Sequence, residues 1–269
     1  MKVAFCFSGQ IRHLDECISY WKPIILSYNA DVFGSFWETD EQTKNKFQSE
    51  FNPKIVQYEN FDLFKKTTLD IFTQELNPPV FIGPSGLSVE TGDYVKQGNM
   101  LPMFYQIWKS NLLASSEHYD VVVRLRTDIF LSHFSIEKNQ FLNLPHGSIG
   151  VWDWENCYGP VDLIAYGSQE IMNFYSCLFL YLTRFLKEGE FFFPAENLLR
   201  VHLAQKDTPI RTWIGFVYFF RNAFLLKADE PHVGSHNVSF AEERIFSSKE
   251  WIILKEKNPL FNFWKPFDS

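Results

Sequence analysis

Short apolar runs rich in strand-forming residues alternate with helically spaced apolar positions through the first half of the chain. Lys2 to Ser8 (KVAFCFS) is such a run, and it stops at Gly9, which is typical of a buried strand followed by a ligand-binding loop. Apolar residues at helical spacing then extend through Asp15 to Ser27. Two further strands are predicted, at Asp31 to Trp37 and at Lys54 to Tyr58. The pattern therefore predicts an α/β fold.

The middle of the chain leads to the strand with the most informative polar residues. We predict a helix at Asp62 to Leu76, a loop rich in proline and glycine at Asn77 to Gly98, and a strong helix at Leu101 to Ser115. Three consecutive valines, Val121 to Val123, mark a central strand. The residues at its carboxyl end are polar, Arg126-Thr127-Asp128, and open α/β sheets bind their ligands at such strand ends.

The second half mixes strands with helices and shows neither an internal repeat nor a linker. The predicted strands are Ser148 to Trp154, Val161 to Tyr166 and around Arg211 to Phe220; the predicted helices are Gln169 to Lys187 and Ala195 to Ala204; a surface tail is predicted at Trp251 to Ser269. We therefore expect one domain over residues 1–269, in which a nucleotide-binding first half (1–130) and an acceptor-binding second half (131–269) form the cleft together.

Composition narrows the class of protein. Aromatic residues make up 18% of the 269 residues, so the chain has the apolar surface that a disordered chain lacks. A formal net charge of −7 argues against bulk binding of nucleic acid, which needs basic patches. We expect no membrane span and no signal peptide, because no apolar run is long enough and the N-terminus turns polar early. The four cysteines lack metal-type spacing, so we expect them to be reduced, in a cytoplasmic protein.

The strand end Arg126-Thr127-Asp128 has two interpretations. Asp128 is placed to bind a divalent cation on a diphosphate, because Mg²⁺ and Mn²⁺ combine one or two carboxylates with phosphate oxygens. Arg124 or Arg126 would then add bidentate contacts to phosphate. The other interpretation is a structural Arg–Asp ion pair that closes the strand. The spacing fits both equally.

The loop after the first strand, Ser8-Gly9-Gln10-Ile11-Arg12, is the second candidate ligand site. Its backbone N–H groups and its glycine allow close approach to a nucleotide base or phosphate. The loop matches neither the G-x-G-x-x-G pattern of dehydrogenases nor the phosphate-binding loop of NTPases, which disfavours both classes. A plain strand-to-helix turn stays open as the alternative.

Three acids compete for the role of a general base. Glu196 lies at a predicted helix start, where the helix dipole alone also favours a carboxylate. Asp153 lies between Trp152 and Trp154, which suits a sugar-binding cleft, although both rings also fit ordinary packing. Asp162 is the third candidate.

His232 and His236 stand in a predicted loop, so they are not a metal-binding pair on one face of a helix. One of them would reach a metal ion or phosphate from the C-terminal side. The alternative is that both are surface residues, as most loop histidines are.

Taken together, these segments resemble the glycosyltransferases of the GT-A type that occur in bacterial polysaccharide loci, phages and large DNA viruses. The resemblance covers about Lys2 to Leu203, and its segments occur in one order: KVAFCFSGQIR, ADVFGSFW, MFYQIWKSN, YDVVVRLRTDI, DLIAYGS and AENLLRVHL. YDVVVRLRTDI is the most specific of them.

The resemblance implies a Rossmann-like GT-A α/β/α sandwich with a mixed central sheet and a nucleotide-sugar bound across the first half. The Asp-x-Asp metal motif of the family reads Arg126-Thr127-Asp128 here. Asp128 is therefore the implied ligand of Mn²⁺ or Mg²⁺, and Arg126, in the place of the first acid, partly substitutes as a positive charge. His232 or His236 would be the implied C-terminal metal ligand. Glu196 matches the acid that acts as the base in inverting members.

We therefore predict transfer of a sugar from a nucleotide-sugar, with UDP preferred, to a hydroxyl of a glycan acceptor, with inversion, in the synthesis of a surface polysaccharide or a viral capsid glycan. The residues predicted to bind the donor are Phe7, Ser8, Gly9, Gln10, Arg12, Arg124, Arg126, Thr127 and Asp128. Glu196 is the first choice of base, followed by Asp153 and Asp162. Two rival functions stay open: a non-catalytic carbohydrate-binding protein and a nucleotidyltransferase, although the first loop is poor in glycine and basic residues for the latter.

Overall fold

The computed structural model describes residues 1–69, 93–132, 147–152, 162–182, 195–206, 210–213, 216–219 and 244–246. Its helices are α1 (Leu14–Tyr28), α2 (Glu41–Phe51), α3 (Phe61–Phe64), α4 (Asp93–Ala114), α5 (Gln169–Ser176) and α6 (Ala195–Gln205). Its strands are β1 (Val3–Gly9), β2 (Asp31–Trp37), β3 (Ile55–Glu59), β4 (Val121–Leu125), β5 (Ile129–Ser132), β6 (Ile149–Trp152), β7 (Ala165–Gly167), β8 (Ile210–Trp213), β9 (Phe216–Phe219) and β10 (Arg244–Phe246). A π-helical turn, Lys65–Leu69, continues α3.

The described strands form one main sheet and one small sheet. The main sheet has eight strands in the order β10-β8-β6-β7-β4-β1-β2-β3. The strands β4, β1, β2 and β3 run parallel to one another. β7 is antiparallel to both β4 and β6, β8 is parallel to β6, and β10 is antiparallel to β8. β5 and β9 pair antiparallel in the small sheet. The main sheet is therefore mixed.

Alternate residues of β1 pack against helices on opposite faces of this sheet. Val3, Phe5 and Phe7 belong to one buried cluster, together with apolar residues of α1 and α2. Ala4 and Cys6 belong to the other buried cluster, with apolar residues of α4, α5 and α6. Because successive side chains of a strand point to opposite faces, the helices cover the sheet on both sides. The predicted Rossmann-like α/β/α sandwich with a mixed central sheet is confirmed.

The strands of the first half lie where the apolar runs predict them. β2 has the predicted bounds, and β1 and β3 are each displaced by one residue. β4 is buried along its whole length, as expected of a central strand. Long apolar runs predict these strands well because a parallel strand is buried on both faces.

The helix α2 is missing from the prediction, although the sequence holds a signal for it. The Asp40 carboxylate accepts a hydrogen bond from the Thr43 backbone N–H at 2.8 Å and caps the helix. Phe47 and Phe51, one helical turn apart, are the buried residues of α2. The remaining residues are mostly polar, so the apolar face is too narrow to stand out in the sequence.

The loop predicted for Asn77 to Gly98 is wrong at its C-terminal end, because α4 begins at Asp93. Pro102 lies inside α4 and lowers its intrinsic helix propensity. Leu101, Phe104 and Ile107 of this helix are nonetheless buried in the core. Tertiary packing of such an apolar face contributes more to helix stability than propensity does.

The described helices of the second half are short. The helix predicted for Gln169 to Lys187 is interrupted at Cys177: α5 ends at Ser176, and a second helical run covers 178–182. The helix α6 starts at the predicted residue and extends one residue beyond the predicted end. None of the helices in the described ranges is both long and apolar enough to cross a membrane.

Candidate functional site

A pocket of about 500 Å³ opens at the carboxyl edge of the parallel half of the sheet. β1 lies between β2 and β4, and the chain leaves β1 towards β2 but later returns on the other side as β4. Such a reversal of strand order leaves a crevice outside the carboxyl ends of the strands, where open α/β sheets bind their ligands. The described residues that line the pocket come from the ends of β1, β2 and β4 and from α3 and α4: Ser8, Gly9, Gln10, Arg12, Trp37, Glu38, Phe61, Pro102, Met103, Arg124 and Arg126.

Arg126 and Asp128, which follow β4, form a bidentate ion pair. The Nε of Arg126 donates to Oδ1 of Asp128 at 2.8 Å, and its Nη2 donates to Oδ2 at 2.7 Å. The Asp128 side chain is 3% exposed, whereas the Arg126 side chain is 25% exposed and lines the pocket. Burial lowers the pKa of Arg126, but the hydrogen bonds and charge of Asp128 outweigh burial and raise that pKa overall. The guanidinium therefore stays charged at the pocket, with the carboxylate behind it.

The hydroxyl of Thr127 ties the loop after β1 to the turn after β4. It accepts a hydrogen bond from the Arg12 backbone N–H at 2.9 Å and donates one to the Gln10 carbonyl at 3.3 Å. Thr127 is fully buried, where leaving such a group unpaired is costly. The Arg12 guanidinium also donates to the side-chain oxygen of Gln10, at 3.0 and 2.6 Å. The two loops singled out from the sequence therefore form one hydrogen-bonded unit.

Gly9 ends β1 in a conformation that other residues rarely adopt. Its φ of +107° lies in the region that glycine reaches without steric cost. A Cβ at this position would meet no atom within 4 Å, so backbone conformation and not space requires glycine here. The turn at Gly9 leads the chain along the pocket, which Gly9, Gln10 and Arg12 line.

Arg124 is a buried cation at the floor of the pocket. It is 2% exposed, and its Nε donates to the Ser8 hydroxyl at 3.3 Å. Burial lowers the pKa of Arg124, while Tyr175 and Asp162 oppose that shift. Arg124 Nη1, Asp162 Oδ2 and the Tyr175 hydroxyl are all buried without a hydrogen-bond partner among the described residues. The interior below the pocket is therefore polar, and the described ranges leave these three atoms without a partner.

A second part of the pocket wall is aromatic. Trp37, at the end of β2, and Phe61, the first residue of α3, line the pocket with their rings edge to face at 5.1 Å. Trp37 also stacks on Tyr105 of α4 at 5.9 Å and packs against Phe64 at 4.9 Å. These contacts hold Trp37 between α3 and α4. We call Trp37 and Phe61 the aromatic wall, and Arg12, Arg124 and Arg126 the arginine wall.

Most of the residues predicted to bind the donor meet at this pocket. Ser8, Gly9, Gln10, Arg12, Arg124 and Arg126 line it. Thr127 and Asp128 lie behind the lining residues, where they hold Arg12, Gln10 and Arg126 by hydrogen bonds. Phe7 is the exception: its ring is fully buried against Phe47 and Phe51, at centroid distances of 5.7 and 5.2 Å. Like Val3 and Phe5, Phe7 points to the side of the sheet that α1 and α2 cover, so its side chain belongs to the core.

The structure describes only some of the predicted bases and histidines. Asp162 is 7% exposed and does not line the pocket, although its charge acts on Arg124 and Arg126. The backbone of Glu196 lies in the first turn of α6, and its side chain is outside the described part of the structure. Asp153, His232 and His236 lie outside the described residues. The roles assigned to these five residues stay predictions.

The described residues around Asp128 do not fit a divalent metal ion. Both carboxylate oxygens of Asp128 already accept hydrogen bonds from Arg126, so a metal ion would have to displace a guanidinium. Within the described ranges, no three His, Cys, Asp or Glu side chains come close enough together to hold an ion. The metal role predicted for Asp128 would require the ion pair to open.

Sequence reasoning missed the aromatic wall and its neighbours. Trp37 is the last residue of a correctly predicted strand that is parallel to β1, and Glu38 follows it, so the strand-end rule would have found both. Phe61 and Met103 have no such local signal. They reach the pocket only because α3 and α4 pack at this edge of the sheet.

No known protein family matches the chain, and no curated protein matches it in sequence. Among solved structures, the chain is similar to a protein from Desulfovibrio desulfuricans G20 that is named provisionally as a nucleotide-diphospho-sugar transferase. The two chains are 12% identical, with a TM-score of 0.42, and the match covers 97% of this chain and 96% of the other.

Proposed function

We propose that the pocket binds a nucleotide-sugar and that the protein is a glycosyltransferase, which moves the sugar to a hydroxyl of a glycan. One observation carries the proposal: an arginine wall and an aromatic wall line the same pocket, at the reversal of strand order. A nucleotide-sugar combines a flat base with a diphosphate. Aromatic rings stack on bases, and arginines bind phosphate oxygens through bidentate hydrogen bonds.

The chemistry of the two walls supports one orientation of the donor. The base lies against Trp37 and Phe61, and the diphosphate lies against Arg126 and the loop that follows Gly9. The volume of about 500 Å³ is within the range of small-molecule sites, roughly 300–1,000 Å³. We further propose that the nucleotide is UDP and that the enzyme is of the GT-A type. A surface polysaccharide or a capsid glycan is the proposed acceptor.

The proposed reaction breaks the bond between the anomeric carbon and a phosphate oxygen, and the electron pair of that bond stays on the diphosphate. The acceptor hydroxyl attacks the anomeric carbon from the opposite face, so the configuration inverts. Its proton passes to a base, for which we propose Glu196 first and Asp153 or Asp162 next. The position of Glu196 in the first turn of α6 supports this role, because the helix dipole favours an ionised carboxylate there.

The test incubates the protein with UDP-, GDP- and CMP-sugars and follows release of the nucleotide and labelling of glycan acceptors. We expect turnover with one class of donor and loss of turnover, with retained binding, in Glu196→Gln. Glu50→Gln is the matched control, because Glu50 pairs with Lys22 on the surface. Binding of a glycan but of no nucleotide would instead identify a carbohydrate-binding protein. Release of pyrophosphate from a nucleoside triphosphate would identify a nucleotidyltransferase.

A further inference from the structure

We propose that the arginine wall binds the diphosphate of the donor directly, without a divalent metal ion, and that Asp128 acts as a positioning residue for Arg126. This inference rests on the proposed function, because it takes a nucleoside diphosphate as the ligand. It assigns to the Arg126-Thr127-Asp128 segment a role that differs from metal binding.

Asp128 is already engaged by Arg126. Each of its carboxylate oxygens accepts one hydrogen bond from Arg126, in the parallel geometry that arginine and carboxylate form best. The Asp128 side chain is 3% exposed, so opening the pair would leave a buried carboxylate and a guanidinium without each other. Breaking a buried pair in this way is strongly unfavourable.

The arrangement of charge around the pocket favours an anionic ligand. The described lining holds three guanidinium groups, of Arg12, Arg124 and Arg126, and one carboxylate, of Glu38. Glu38 is itself paired with Lys44 at 2.8 Å. Asp128 and Asp162 balance the arginines but do not line the pocket. Cations therefore face the ligand and anions lie behind them, which attracts a diphosphate and repels a divalent cation.

The leaving group of the proposed reaction also suits a wall of arginines. When the bond from the anomeric carbon to the phosphate oxygen breaks, the negative charge of the diphosphate increases by the electron pair of that bond. N–H donors fixed beforehand near that oxygen stabilise this charge without having to move. Asp128 holds Arg126 by two bonds, and Thr127 holds the loop that carries Arg12. The wall therefore supplies the stabilisation that a metal ion provides in the Asp-x-Asp pattern.

Calorimetric titration with UDP, GDP and CDP, each in EDTA and each in Mn²⁺, is the direct experiment. We expect one of the three to bind with a dissociation constant that differs less than about threefold between the two buffers. Binding only in Mn²⁺ would overturn the metal-free inference and leave the proposed function standing. No binding of any nucleotide in either buffer would overturn the proposed function itself.

Variants show whether the contact is with the diphosphate. For the nucleotide that binds, and for its nucleoside, we expect Arg126→Met to weaken the diphosphate at least tenfold and to leave the nucleoside nearly unchanged. Asp128→Asn should weaken the diphosphate several-fold, equally in EDTA and in Mn²⁺, whereas a metal ligand would lose only the binding that depends on Mn²⁺. A merely structural role would weaken nucleoside and diphosphate alike.

The test has a control variant, and a second variant can replace Arg126→Met. Lys22→Met removes a surface cation that pairs with Glu50 away from the pocket, and it should change neither affinity. If Arg126→Met does not fold, Arg126→Lys keeps the charge but cannot make the bidentate pair. We then expect an intermediate loss that affects the diphosphate only, and an unchanged affinity would overturn the inference.

Discussion

The two walls of the pocket are built in different ways. The arginine wall comes from two segments: Arg124 and Arg126 belong to one strand end, and Thr127, next to Arg126, fastens the loop that carries Arg12. The aromatic wall is assembled from distant parts of the chain: Trp37 ends β2 and packs on Tyr105 of α4, and Phe61, which starts α3, packs on Trp37. Two of the three charged residues are thus encoded within one strand end, whereas the two rings of the aromatic wall meet only through the packing of α3 and α4.

The strongest way to break the arginine wall is to remove Arg126 and leave Asp128 buried. We expect Arg126→Met to lower the free energy of unfolding by about 3–5 kcal/mol, the usual cost of breaking a buried ion pair. Asp128→Asn added to that variant should recover a large part of the loss, because the uncompensated charge disappears. Urea denaturation measures both changes. A loss no greater than that of the surface variant Lys22→Met would show that the pair contributes little.

A buried residue outside both walls provides a reference for these effects on stability. His202 of α6 is fully buried, stacks on the ring of Phe174 at 4.3 Å, and donates from Nε2 to the Phe174 carbonyl at 2.6 Å. Burial lowers the pKa of His202 from 6.5 to about 4, against the opposing effect of that hydrogen bond.

The sign of the resulting pH dependence follows from the lowered pKa of His202. As the pH falls from about 6.5 to about 4, the unfolded chain takes up a proton that the folded chain does not, so stability falls by about 3 kcal/mol. We expect His202→Gln to remove this part of the decrease, measured by urea denaturation across that pH range. At neutral pH its affinity for nucleotide should equal that of the unchanged protein. A decrease of the same size in both proteins would contradict the assignment to His202.

Backbone strain in the loop that carries Arg12 can be tested at Gly9. We expect Gly9→Ala to lower the free energy of unfolding by about 1–3 kcal/mol, because alanine at a φ of +107° is strained. Gly147→Ala is a matched control: Gly147 has a φ of +78°, has open space for a Cβ and does not line the pocket. Both variants should lose stability, but only Gly9→Ala should also lose affinity for UDP in calorimetry. Equal affinity in both variants would argue against a ligand at this loop.

The aromatic wall is tested by Trp37→Leu. Stacking of a base on an aromatic ring is worth about 1–3 kcal/mol, so we expect nucleoside and nucleoside diphosphate to weaken alike, by about tenfold. Arg126→Met differs because it affects the diphosphate alone. Tyr20→Leu, which removes a ring packed on Trp21 at 5.0 Å away from the pocket, is the control for loss of an aromatic residue. If Trp37→Leu spares the nucleoside, the base does not bind at this wall.

The smallest effect should come from the hydroxyl of Thr127. Thr127→Val keeps the shape of the side chain but leaves the Arg12 N–H without its acceptor, at a cost of about 1 kcal/mol. We expect affinity for UDP to fall a few-fold, since the loop is no longer tied to the strand end. Ser19→Ala, which removes a hydroxyl that donates to the Asp15 carbonyl on the surface of α1, should change neither property. An unchanged affinity in Thr127→Val would show that the tie does not matter for binding.

The sequence predicts those strands and strand ends whose signal lies in consecutive residues. The apolar runs of β1, β2 and β4 and the polar ends after β1 and β4 could be read directly, because buried parallel strands and their ligand-binding ends follow simple rules. Whether Asp128 binds a metal ion or pairs with Arg126 could not be read, since the spacing fits both; the structure has the pair.

Other parts depend on long-range packing and were missed for that reason. The helix over 93–98 forms as part of α4, and α2 is held by only two buried phenylalanines. Phe7 was predicted to bind the ligand because it precedes Ser8 and Gly9. Side chains alternate between the two faces of β1, however, and the ring of Phe7 points into the core. Phe61 and Met103 become neighbours of the pocket only through the packing of α3 and α4.

The hydrogen bonds around the turn after β4 affect the thermodynamics of binding. Besides the hydroxyl of Thr127, the indole Nε1 of Trp21 donates to the Ile129 carbonyl at 2.9 Å, so the turn is attached both to the loop after β1 and to α1. Ordering a backbone residue costs about 1–2 kcal/mol in conformational entropy. Here the protein meets that cost when it folds, before a ligand arrives. Contacts at these loops therefore do not have to offset the ordering of the backbone, which is one of the costs that reduce affinity.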